Sequence, residues 1–147
     1  MKEELLQLHL QMLQDKIDAF QDRIEALSLD AQNDAKSSAG DKHETALSMM
    51  HIEQEKLSAK IQEYLNQKIE ISRIDLSKKS DKIILGSLVQ ANDFWFFIST
   101  ALPKVKINGK DVFSLSKVSP LGSLLIGKSI GEEVVVNNIT YTIKQVL

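Results

Sequence analysis

The sequence has no cysteine. This excludes disulfides, Cys-based zinc sites and thiol nucleophiles, including those of Cys-dependent acyl-condensing enzymes. It has two prolines, neither of them in the first half, where Gly40 is the only glycine. Aromatics are 5% of the chain, and four of the eight form one run, Phe94-Trp95-Phe96-Phe97. No apolar run approaches the ~18 residues of a membrane span. The start, MKEELLQLHLQ, is charged and lacks the apolar core of a signal peptide. The expectation is a cytoplasmic protein with no membrane association. P-loop, GxGxxG, GxSxG and HExxH patterns are all missing, so the common nucleotide, hydrolase and zincin readings have no support.

What is present is a chain able to fold. Its 147 residues are 43% hydrophobic and 26% charged, enough for one ordinary domain or two small ones. The net charge of −2 hides an asymmetry. Met1 to Asp75 carries −6 and Leu76 to Leu147 carries +4. An acidic half joined to a basic half suggests two modules with different partners.

The first half has helical periodicity. Leu6, Leu10, Leu13, Ile17, Phe20, Ile24, Leu27 and Ala31 follow a 4,3 alternation, a heptad stripe set among polar residues. A less regular stripe runs through Ala46, Met50, Leu57, Ile61, Tyr64, Lys68 and Ile71, interrupted by Glu53. Between them, residues 33–41 are rich in turn formers. Two readings fit: an antiparallel hairpin of two helices, each reaching ~45 Å, or a dimerising coiled coil.

The second half has strand signals. Residues 77–81 are a polar linker candidate. Strands are expected over Ile83 to Val89 and Phe94 to Ile98, and at Lys104 to Ile107 and Lys110 to Leu115 around an Asn108-Gly109 turn. Further strands are expected at Glu132 to Val136 and Ile139 to Val146, joined through Asn137-Asn138. Ser119 and Pro120 are placed as N-cap and first residue of a short helix that buries Leu121, Leu124 and Leu125 and stops at Gly127. The fold expected is α+β: an N-terminal helical module, residues 1–76, a linker over 77–81, and an antiparallel sheet domain with one short helix over 82–147. Phe94, Phe96 and Ile98 face one side of their strand, Trp95 and Phe97 the other. Such a strand is either central and buried, or an exposed aromatic docking patch.

The histidines are His9, His43 and His51. His9 is placed on the flank or surface of the first helix and His51 beside the second stripe. His43 lies at the tip, in Gly40-Asp41-Lys42-His43-Glu44. There Asp41 and Glu44 have the spacing of a capping box, which satisfies free backbone donors at a helix start. The same spacing puts two carboxylates on one side of the first turn, where they offer a few oxygen ligands to Mg²⁺. Such a tip has too few ligands to act alone and needs another protein's active site to complete the coordination. A metal so held activates water or steadies a leaving oxygen in phosphodiester cleavage.

The segment Ser119-Pro120-Leu121-Gly122-Ser123-Leu124-Leu125-Ile126-Gly127-Lys128-Ser129-Ile130-Gly131-Glu132-Glu133-Val134 resembles the C-terminal signature of the GreA/GreB transcript-cleavage factors, as does the tail Tyr141 to Val146. Gly40-Asp41-x-x-Glu44-x-Ala46 resembles the acidic tip motif of that family. The resemblance implies an antiparallel coiled coil with its acidic tip near residues 34–44, then an FKBP-like sheet domain. It implies a monomeric transcription elongation factor, grouped with DNA-binding proteins, that binds bacterial RNA polymerase. The coiled coil would enter the secondary channel and act on nascent RNA only indirectly. By matching positions, Asp41 and Glu44 are the catalytic-assisting pair that shares Mg²⁺ in the polymerase complex only. Ser119, Pro120, Gly127 and Lys128 are the partner-binding candidates. The chain is then an accessory factor and not an enzyme in its own right.

After the acidic pair the family usually continues Asn-Ala-Glu-Tyr, whereas this chain has Thr45-Ala46-Leu47-Ser48. Two further readings therefore stand beside cleavage stimulation: a channel-binding regulator without cleavage activity, and a coiled-coil scaffold. Sequence-specific DNA reading is disfavoured, because the helical half is acidic. Prolyl isomerase activity does not follow from an FKBP-like fold.

Overall fold

The computed structural model describes the backbone of residues 1–37 and 41–147, and the side chains of residues 1–33 and 44–147. The chain divides into two compact units. One is Gln11–Lys68, and the other combines Met1–Leu10 with Ile69–Leu147.

Two long helices supply the first unit: α1, Lys2–Ser37, and α2, Asp41–Ser72. Neither contains proline, and the apolar residues recur at helical spacing. Within Gln11–Lys68 they run antiparallel, side by side. Lys68 Nζ donates to Gln14 Oε1 at 2.6 Å near one end. Phe20 and Tyr64 meet with ring centroids 5.6 Å apart. Gln54 Nε2 donates to the Ile24 carbonyl at 3.1 Å and to Ser28 Oγ at 2.9 Å. Leu13, Ile17, Ala31 and Ile61 are buried along the seam. The two stripes therefore cover each other within one chain. Glu53, which interrupts the second stripe, meets Arg23 at 3.4 Å.

The second unit is built on a six-stranded sheet. Its strands are β1 Leu88–Ala91, β2 Phe94–Ser99, β3 Leu102–Ile107, β4 Lys110–Ser116, β5 Glu133–Val136 and β6 Ile139–Val146, in the order β3-β4-β2-β1-β6-β5. The helix α3, Pro120–Leu125, lies between β4 and β5 in sequence. The sheet is mixed and not antiparallel throughout, because β2 and β4 pair parallel, from Trp95↔Val112 to Ser99↔Ser116. The Asn108-Gly109 turn forms as expected, with φ of 52° and 75°. The hairpin signal says only that β3 and β4 pair. It does not say which of them joins the aromatic strand. Here β4 slots between β3 and β2, and that insertion sets it parallel to β2.

The first strand is also displaced from its expected place. Residues 83–87 do not extend the ladder. Ile83 instead exchanges backbone hydrogen bonds with the segment after α3: Gly127 N–H donates to the Ile83 carbonyl and Ile83 N–H to the Lys128 carbonyl, both at 2.8 Å. The chain then turns at Gly86, φ +91°, where a Cβ would sit 2.6 Å from Ile74 Cγ2. Gly86 N–H donates to the Ile98 carbonyl and Ile98 N–H to the Ser87 carbonyl, and the regular ladder of β1 starts at Leu88.

Both faces of the sheet are covered. On one, Val89, Ala91, Phe96, Ile98, Val134 and Ile143 pack with Ile83 and with Leu125 of α3. On the other, Trp95, Phe97, Leu88, Val105, Ile107 and Val112 are buried, and His9 of α1 stacks on Phe97. Burial of a side chain the size of Phe97 contributes about 2–3 kcal/mol. The aromatic strand β2 is thus central, with Phe94 alone of its four aromatics exposed, at 45%. In α3, Leu125 is fully buried, but Leu124 is exposed at 43%, contrary to its expected place on the buried face.

Candidate functional site

The antiparallel pairing brings the end of α1 and the start of α2 to one end of the Gln11–Lys68 unit. Glu44 is exposed in the first turn of α2. Among the described residues it has no ion-pair partner. Asp41 is the first residue of α2. Its side chain, like those of Lys42 and His43, lies outside the described residues, as does Gly40. The carboxylate donors suit a hard cation such as Mg²⁺ in chemistry. Among the described residues no group of three or more His, Cys, Asp or Glu side chains is arranged to hold a metal. Just behind the tip, Leu29, Met49 and Ile52 are exposed apolar residues that no sequence pattern singled out.

The C-terminal motif has a structural explanation for most of its residues. Ser119 caps α3: its hydroxyl donates to the Ser116 carbonyl at 2.7 Å and accepts from Gly122 N–H at 3.1 Å. Pro120 follows at the first helical position, where its missing N–H costs nothing. Gly122 has no space for a side chain, because a Cβ would overlap the Ser116 carbonyl and Ser119 Oγ. Gly127, φ +83°, ends the turn and hands its N–H to Ile83. Glu132 Oε2 accepts from Ser129 N–H at 2.6 Å and so closes the loop before β5.

Of the four partner-binding candidates, Pro120 and Gly127 are exposed, and Ser119 and Lys128 are half-buried. Their backbone and capping roles are engaged inside the unit. Outward, the motif and the residue before it present four large apolar side chains beside the exposed Ser123, Glu132 and Glu133. Val118 is 79% exposed and Ile130 62%, with Leu124 and Ile126 between them in sequence also exposed.

The lysines flanking the β3–β4 turn are partly engaged. Lys104 Nζ lies 3.9 Å from Asp111 Oδ2 and 5.8 Å from the Phe113 ring. Lys110 Nζ lies 4.6 Å above the Trp95 ring. Lys106 is exposed. Phe94 joins a cluster with Phe96, Phe113 and Tyr141, at centroid separations of 6.1, 6.2 and 6.3 Å.

His9 is not on the surface as expected. It is fully buried, its Nε2 is 3.3 Å from Ser114 Oγ, and Nδ1 has no hydrogen-bond partner among the described residues. Burial pushes the imidazole below its ordinary pKa, and the Pro103 backbone opposes this in part. The Ser114–His9 pair superficially resembles a nucleophile and base, but no substrate reaches a fully buried ring, so its role is structural. A signal for the burial lay in Leu5, an apolar residue off the heptad stripe in the first turn, which is itself fully buried. His51, expected beside the second stripe, is exposed.

Among the described residues, no helix is long and apolar enough to cross a membrane. Neither a family model nor a curated protein matches this chain.

Proposed function

We propose that this chain is a Gre-like transcription elongation factor. It binds bacterial RNA polymerase, inserts its helical hairpin into the secondary channel and stimulates cleavage of backtracked RNA. The observation that carries this reading is the co-occurrence, in one chain, of a narrow antiparallel helical pair ending at Asp41 and Glu44 and the Ser119 to Val134 motif in a sheet unit that we read as FKBP-like. Residues 11–37 and 41–68, at 1.5 Å per residue, give the pair a reach of about 40 Å. This is suited to a deep, narrow channel.

In this reading Asp41 and Glu44 hold Mg²⁺ together with the polymerase's own carboxylates, and the ion supplies water activation and charge stabilisation at the scissile phosphodiester. Glu44 contributes an exposed carboxylate in the first turn of α2. The hairpin positions it, and the seam contacts of Phe20, Tyr64, Gln54 and Lys68 hold the two helices in register. The exposed apolar residues Val118, Leu124, Ile126 and Ile130 form the docking face of the sheet unit, with the basic half of the chain favouring an acidic partner surface. In this reading the chain is an accessory factor and the chemistry belongs to the polymerase.

The second reading is a channel-binding regulator without cleavage activity. Thr45-Ala46-Leu47-Ser48 favours it, since these residues replace the polar run that usually follows the acidic pair. Lys42, between the two carboxylates in sequence, offsets part of their charge. Binding is tested by co-elution of the purified chain with core polymerase from the same source. The reading expects a stoichiometric complex that Val118→Asp/Ile130→Asp weakens. Absence of a complex with the wild-type chain contradicts both polymerase readings.

A further inference from the structure

The start of α1 rests on one face of the sheet through a titratable ring. His9 is fully buried. It stacks on Phe97 of β2 and lies 3.3 Å from the Ser114 hydroxyl of β4. Its Nδ1 has no hydrogen-bond partner among the described residues, and neither does Ser99 Oγ, also buried. Ser99 stands two residues beyond Phe97, on the same face of β2. The face under α1 thus holds two polar atoms that water satisfies once the face opens.

No anionic group faces His9 to offset an imidazolium. Three and four residues away on its own helix are Leu5, Leu6, Met12 and Leu13. β2 has no titratable side chain. On β3, Lys104 and Lys106 are exposed, and Lys104 lies against Phe113, on the opposite face. On β4, Asp111 pairs with Lys104, and Lys110 lies over Trp95 on the His9 face but is itself a cation. At the end of α2, Glu70 and Arg73 are exposed. Burial accordingly disfavours the charged ring.

The sheet does not need α1 to stay closed. Its strands pair with one another from β3 to β5. The core on the opposite face, with Ile83, Phe96, Ile98, Leu125 and Ile143, contains no residue of α1. Release of Leu5, Leu6 and His9 therefore leaves both intact, as a partial opening. We infer that His9 is an acid-sensitive latch, whose protonation releases the first turns of α1 from the sheet while the strand ladder and the opposite core stay formed. The released state bares Phe97 and leaves Met1–Leu10 unheld. The inference is independent of the polymerase reading.

The chain has no cysteine, so single thiols report opening cleanly. Leu5→Cys and, on the opposite core, Ile143→Cys are labelled in the full chain between pH 7 and pH 5. Each rate is divided by that of the same variant in urea at the same pH. Opening takes up one proton, so the Leu5→Cys rate is expected to rise about 10-fold per pH unit below about 6.5. At pH 6 it exceeds the Ile143→Cys rate by at least about 10-fold, the mark of a partial opening. Adding His9→Phe removes the rise. Should Leu5→Cys fail to fold, Leu6→Cys takes its place. Equal rates at the two sites overturn the proposal, because α1 then leaves only with the whole fold. A Leu5→Cys rate that is flat with pH, or a rise that survives His9→Phe, overturns it as well.

Discussion

The His9 ring stacks on Phe97, with centroids 6.2 Å apart and 22° between the planes. This contact ties the first turns of α1 to the central strand of the sheet. It also puts a titratable ring where water does not reach.

A pH dependence follows from it. Burial lowers the folded-state pKa of His9 beneath the unfolded value of about 6.5. As pH falls through 6.5 the unfolded chain takes up a proton that the folded chain refuses. Stability rises with pH wherever the unfolded state binds more protons, so it declines on acidification below about 6.5, until the folded pKa is reached. His9→Phe keeps a ring against Phe97 and removes the titration. Its urea unfolding free energy is expected to change less between pH 7 and pH 5 than that of the wild type. An equal slope in both proteins contradicts the assignment.

Two glycines separate backbone strain from lack of space. Gly86 and Gly109 both have positive φ, but only Gly86 faces a neighbour, Ile74, at a distance that a methyl group cannot share. Gly109→Ala meets nothing within 4 Å and pays only the left-handed backbone cost of about 1–2 kcal/mol. Gly86→Ala adds overpacking of about 1–3 kcal/mol to a similar strain. Chemical denaturation checks the order, and equal losses at the two sites contradict the close approach of Ile74.

Much of this architecture was legible because it rests on local pattern. The heptad residues Leu13, Ile17 and Ala31 are buried where a 4,3 alternation puts them. Asn108-Gly109 and Asn137-Asn138 adopt the left-handed conformations that their turns need, and Ser119 caps its helix. What the pattern did not carry were pairings between distant segments. Ile83 has the composition of a strand residue, yet its backbone partners are Gly127 and Lys128, more than 40 residues away. The insertion of β4 beside β2 is likewise a choice of sheet edge, on which the hairpin sequence is silent. His9 was misjudged because only the sheet, and not the helix stripe, buries it. At the candidate site, the spacing of Asp41 and Glu44 fits capping better than metal binding, and of the two side chains only that of Glu44 is described.

Ser119 distinguishes scaffold from contact surface. Its hydroxyl bonds to Ser116 and Gly122 inside the unit, so Ser119→Ala is expected to cost about 0.5–2 kcal/mol of stability. Polymerase affinity of the folded variant should be unchanged. A loss of affinity without a loss of stability assigns Ser119 to the docking face instead.

The most direct measurement is RNA cleavage by stalled, backtracked elongation complexes, assembled with polymerase from the same source at matched Mg²⁺. Wild type is compared with Asp41→Ala/Glu44→Ala, and polymerase binding is followed in parallel. The account predicts that wild type stimulates cleavage, and that the double variant binds normally but does not stimulate. Binding of wild type without any stimulation contradicts it and moves the chain to the regulator class. Stimulation that survives in the double variant contradicts the role of the tip carboxylates.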